Sequence, residues 1–65
     1  MEHNTIGAIL VELRGNRTQE EVAKALDISP SALSSYENGS RIPRDPIKMR
    51  IAEYYKKPIQ EIFFA

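Results

Sequence analysis

The sequence contains no cysteine, which removes both a disulfide staple and a thiolate zinc site from the means by which 65 residues could hold themselves together. No apolar run approaches the roughly 18 residues of a membrane span. The opening MEHNTIG lacks the basic-then-apolar order of a signal peptide. A protein of the reducing cytoplasm without membrane contact is therefore expected. His3 and the scattered acids have no metal-ligand spacing, and no nucleophile stands beside a paired base, so neither metal, cofactor nor catalysis is expected. Formal net charge is zero, so there is no global excess of positive charge to mark a nucleic-acid binder. The length fits a single domain over residues 1–65, near the lower limit for folding without metal, disulfide or partner.

The distribution of charge says more than its sum. Met1 to Glu37 carries six acids against Arg14, Arg17 and Lys24, whereas Asn38 to Arg50 carries Arg41, Arg44, Lys48 and Arg50 against Asp45 alone. A local field of that kind acts on phosphates within about a Debye length even when the total is zero.

That basic stretch follows the most informative segment, QEEVAKALDISPSALSSY from Gln19 to Tyr36. Val22, Leu26, Ile28, Leu33 and Tyr36 supply the apolar positions of two short amphipathic helices held at an angle by a brief turn, with small Ala23 where the helices would cross. This is the apolar skeleton of a helix-turn-helix, here over about residues 18–38, whose second helix is built to lie in the DNA major groove. Outward on that helix stand Ser31, Ser34, Ser35 and Asn38, one stripe at i, i+3, i+4, i+7 spacing.

Local signals extend the helical reading over the whole chain. A first helix is expected from near Thr5, burying Ile6, Ile9, Leu10 and Leu13 and capped by Gly15. Thr18-Gln19-Glu20-Glu21 reads as a capping box opening the second helix, with Glu20 and Lys24 as a surface pair. Asp27 ends that helix where positive φ is wanted, and Ser29-Pro30 restarts the chain as N-cap and first helical position. Asn38-Gly39 stops the third helix, and RIPR, from Arg41 to Arg44, reads as an extended loop because Pro43 disfavours helix at Ile42. Asp45-Pro46 repeats the N-cap and proline pattern for a fourth helix carrying Ile47, Ile51, Tyr54 and Tyr55, with Lys56 and Lys57 placed well for its dipole. Pro58 opens a fifth, whose Ile59, Ile62 and Phe63 share one face and leave Phe64 off it, beside Tyr54 or Tyr55.

TQEEVAKALDISPSALSSYENG together with RIPRDPIKMRIAEYY resembles the Cro and phage-repressor type of helix-turn-helix, the xenobiotic-response-element family, over about Ile6 to Phe64. The resemblance implies an all-α, five-helix, lambda-repressor-like DNA-binding domain, a bacterial or phage transcription regulator that binds operator DNA, commonly as a dimer. It implies that Gln19 reaches a phosphate together with the amides of the second helix's first turn, and that Arg14 and Glu37 pair inside the protein. Asp27 stands where the family usually has glycine, the Gly15 to Arg17 link is short, and serines occupy recognition positions where other members have glutamine, lysine or arginine.

The candidate DNA-binding residues are thus Gln19, Pro30, Ser31, Ser34, Ser35, Asn38, Arg41 and Arg44. Pro30 offers its ring to a thymine methyl, the serines offer short donors and acceptors, and Asn38, Arg41 and Arg44 follow the groove onto phosphates, one arginine into the minor groove. Each has a plainer explanation: a capping proline, a solvated serine face, an ordinary surface charge cluster. Tyr55 and Phe64 are the candidate contact of a weak homodimer. The expected function is that of a sequence-specific repressor of a phage, mobile element or small bacterial operon, acting without cofactor. The competing expectation is a protein-binding module of the same fold, an antitoxin-like or anti-repressor partner, for which zero net charge is no handicap.

Overall fold

Short local signals set where each helix begins and ends. The computed structural model describes residues 5–64, and among them are five helices and no strand: α1 Thr5–Arg14, α2 Gln19–Leu26, α3 Pro30–Glu37, α4 Asp45–Tyr55 and α5 Ile59–Phe63. The all-α, five-helix expectation holds. His3 lies outside the described residues.

α1 ends at Gly15, whose φ of 60° is the left-handed conformation that glycine adopts without Cβ strain. Thr18 caps α2 by accepting from the Glu21 amide at 3.0 Å. The expected return bond from the Thr18 amide to Glu21 is not made, so only half the capping box forms. Glu20 and Lys24 are both exposed and do not pair, as water solvates each about as well as the other does. Asp27 adopts φ 61° and ψ 43°. The Asp27 amide donates to Lys24 O at 3.1 Å and the Ile28 amide to Ala23 O at 2.9 Å, the paired bonds of a Schellman motif. Ser29 then accepts from the Ala32 amide at 3.0 Å and Pro30 takes the first helical position, so the turn between α2 and α3 is closed on both sides.

Two boundaries differ from the sequence expectation. The cap of α4 is Arg44 rather than Asp45, because the Arg44 carbonyl already accepts the first helical bond, from Lys48 N at 2.9 Å. Asp45 moves into the first turn, where its charge suits the dipole. Lys56 does more than face the C-terminus of α4: it is itself left-handed, at φ 58° and ψ 45°, and repeats the Asp27 arrangement with Lys57 N donating to Ala52 O at 3.0 Å.

The core draws on every helix: Leu10 from α1, Val22, Ala23 and Leu26 from α2, Leu33 and Tyr36 from α3, Ile51 from α4, Ile62 and Phe63 from α5. Ala23 is fully buried, and Ile6, Ile9, Leu13, Ile28, Ile47, Tyr54, Tyr55 and Ile59 pack around the core. α1 lies against α3 and α5, while α2 lies against α3 and α4. Gly7 marks the close approach of α1 to the end of α3. A Cβ there would overlap the Glu37 carbonyl oxygen and lie 2.9 Å from its carbon. Phe64 is off the α5 stripe as expected, but its ring meets Lys48, whose Nζ is 5.3 Å from the centroid. Lys48 lies seven residues before Tyr55 on α4, so the chain brings Phe64 to the beginning of that helix instead of its end.

Candidate nucleic-acid interface

α3 buries Leu33, Tyr36 and Glu37 and turns a polar side outward. Pro30, Ser31 and Asn38 are exposed, while Ser34 and Ser35 are half-buried, so the serine stripe is not uniformly open: its two ends stand out and its middle lies lower. With side chains this short, only a partner that approaches the helix backbone can be touched.

The loop after α3 is tied to the helix it follows. The Ser35 carbonyl accepts from Ser40 N at 3.1 Å and from Arg41 N at 3.3 Å, with the Ser40 hydroxyl at 3.4 Å. Asn38 Oδ1 also accepts from Ser40 N, at 2.9 Å. Asn38 therefore spends its acceptor on the turn and keeps its amide donors outward. This fixes where Arg41 begins. Its guanidinium carbon lies 5.8 Å from the Tyr36 ring centroid, a cation–π contact that holds the charge beside α3. Arg44 is exposed, and among the described residues neither Arg41 nor Arg44 is ion-paired.

Lys48 and Arg50, from the same basic stretch, are occupied inside the fold. Lys48 Nζ sits 3.9 Å from Asp45 Oδ1 and 5.6 Å from the Phe63 ring centroid, and Arg50 Nη1 donates to the Leu26 carbonyl at 3.1 Å, capping α2.

The other side of α3 meets the start of α2. Arg14 Nε donates to Glu37 Oε2 at 2.8 Å, the pair expected from the family resemblance. Sequence reasoning missed that Gln19 Nε2 donates to the other carboxylate oxygen, Oε1, at 2.9 Å. Glu37 is thus buried with both oxygens engaged. Arg14 Nη1 continues the network to the Arg17 carbonyl at 2.8 Å, and the Arg17 guanidinium lies over the rings of Tyr54 and Tyr55 at 5.4 and 5.7 Å. Beneath it the Tyr55 hydroxyl is buried without a hydrogen-bond partner among the described residues. Burial, then the nearby Glu37 and Tyr54, push its pKa up to about 12 from the usual 10.0, against the lowering influence of Arg17 and Arg14. Arg14, Thr18, Gln19, Glu20 and Pro30 line an open cleft of about 510 Å³ where the first turns of α2 and α3 come together.

The arrangement sets a half-exposed polar helix between a helix N-terminus on one side and two unpaired arginines on the other. Residues 10–62 match the helix-turn-helix family model. The chain belongs to the helix-turn-helix family of Cro and phage-repressor type. No curated protein and no solved structure matches it. As a helix-turn-helix protein it is a DNA-binding transcription regulator. Among the described residues no helix is long and apolar enough to cross a membrane.

Proposed function

We propose that this helix-turn-helix protein is a sequence-specific repressor of a phage, mobile element or small bacterial operon, working in the cytoplasm as a weak homodimer that strengthens on DNA. One observation carries the reading: the exposed Pro30, Ser31 and Asn38 of α3 are continuous with the unpaired Arg41 and Arg44, while Leu33 and Tyr36 anchor the same helix from behind. The helix and Ser31 read base edges. Ser34 and Ser35 serve where the groove floor comes closest, and Pro30 meets a thymine methyl. Gln19 and the free amides at the start of α2 take a phosphate, and Asn38, Arg41 and Arg44 take others. Occupying an operator is enough to block transcription and needs no cofactor.

Phe64, 65% exposed, supports the dimer contact. Tyr55 contributes at most its ring, since its hydroxyl is turned inward. Selection from a random-sequence duplex pool at physiological salt tests the whole reading. A repressor of this type enriches pseudo-palindromic sites with half-sites about one helical turn apart. Failure to enrich any sequence leaves the second reading, a protein-binding module, which the exposed Ile42, Met49 and Phe64 favour.

A further inference from the structure

We propose that Glu37 is a positioning residue for DNA binding: by holding the Gln19 side chain, it pre-sets the phosphate contact at the start of α2. The inference rests on the reading of Gln19 as a phosphate contact and adds the residue that makes that contact selective in geometry.

A glutamine in the first turn of a helix has several rotamers in water, and freezing one of them on binding lowers affinity about three- to tenfold. Here the freezing is done before DNA arrives. Gln19 Nε2 lies 2.9 Å from Glu37 Oε1, and a carboxylate can only accept, so the amide is held nitrogen-inward with no competing flipped state. One N–H serves Glu37, which leaves the second N–H of the same nitrogen for another acceptor. Gln19 also lines the cleft with Thr18, Glu20 and Pro30, so the fixed side chain sits between the buried carboxylate and open solvent at the two helix N-termini.

Glu37 is held in turn. Arg14 Nε occupies Oε2 at 2.8 Å, and Arg14 itself is tied to the Arg17 carbonyl. The carboxylate comes from the last residue of α3, the helix that enters the groove, so Gln19 is fixed in the frame of α3 although it belongs to α2. A buried acid close to a DNA backbone would by charge alone weaken binding. Its removal should strengthen binding if the charge were all that mattered, and weaken it if positioning dominates.

The test compares the full-length wild type with Gln19→Ala, Glu37→Met and Gln19→Ala/Glu37→Met on a duplex enriched by the wild type from a random pool, read by affinity and by phosphate-ethylation interference. Gln19→Ala should abolish interference at one phosphate in each half-site. Glu37→Met should weaken interference at the same phosphate and bind about three- to tenfold more weakly despite losing a negative charge. The double variant should bind no more weakly than Gln19→Ala. If Glu37→Met does not fold by circular dichroism, Arg14→Met/Glu37→Met, which replaces the ion pair by side chains of similar length, takes its place with the same expectation. A folded Glu37 variant that keeps the full wild-type signal at the phosphate lost in Gln19→Ala, and wild-type affinity, overturns the positioning role and leaves the Gln19 contact standing. Interference unchanged at every phosphate in Gln19→Ala overturns the contact itself, and the proposal with it.

Discussion

Arg14 Nε and Glu37 Oε2 meet at 2.8 Å with unequal burial: the arginine side chain keeps 20% of its surface exposed and the glutamate only 4%. The two residues come from the ends of α1 and α3, so the pair fastens α1 to α3. Because the carboxylate is the more buried partner, removing its arginine alone costs more than replacing both residues by apolar ones. Arg14→Ala leaves a buried carboxylate with Gln19 as its remaining partner and should destabilise the fold by about 3 kcal/mol, whereas Arg14→Met/Glu37→Met should lie within about 1 kcal/mol of wild type. Urea unfolding of the variants checks the order. A double variant less stable than Arg14→Ala would contradict it.

Gly7→Ala places a methyl group against the Glu37 carbonyl, where backbone cannot yield as a flexible side chain would. Alanine's better helix propensity, about 1 kcal/mol, is too small to offset the resulting separation of α1 from α3. A net loss of about 1–3 kcal/mol by chemical denaturation is expected. An unchanged or raised midpoint would show that the two helices do not approach so closely.

Asp27 and Lys56 hold left-handed backbone at the ends of α2 and α4, where a Cβ is strained by about 1–2 kcal/mol. Asp27→Gly and Lys56→Gly should each raise stability by up to about 1 kcal/mol, after the greater backbone freedom of glycine in the unfolded chain is subtracted. A lower thermal midpoint for both would be the contrary result.

Tyr55 gives the alkaline side of the stability profile. Its folded pKa, near 12, lies above the ordinary 10.0, so the folded state retains a proton that the unfolded chain releases. The contribution is therefore complete below pH 10 and is lost as pH rises from there toward 12. Tyr55→Phe should match or exceed wild type in stability at neutral pH and lose less of it between pH 10 and pH 12. Parallel pH profiles for the two proteins would rule this out.

The fold was legible where its instructions are local. Thr18, Asp27, Ser29-Pro30 and Asn38-Gly39 each mark a helix end by the chemistry of one or two residues, and the apolar spacing of Val22, Leu26, Leu33 and Tyr36 picks out the buried faces of α2 and α3. The hydrogen bond from Gln19 to Glu37 spans 18 residues and exists only because α2 packs against α3, so no spacing rule announces it. Gly7 carried no signal either, since its role lies in the approach of another helix. The basic run from Arg41 to Arg50 looks uniform in sequence, yet Lys48 and Arg50 engage aromatic rings and a helix end, whereas Arg41 lies over Tyr36 and neither Arg41 nor Arg44 forms an ion pair among the described residues. Lys56 resembled any surface lysine because a left-handed residue other than glycine, asparagine or aspartate leaves little trace in sequence.

On the proposed reading, α3 and the loop that follows it form one DNA-binding surface. It is tested most directly by the salt dependence of binding to a selected duplex, measured for wild type, Arg41→Ala and Arg44→Ala. Each substitution should weaken binding to all sequences nearly alike and reduce the slope of log K against log salt by about one unit per lost phosphate contact. Affinity and slope that remain at wild-type values in both variants would contradict the account.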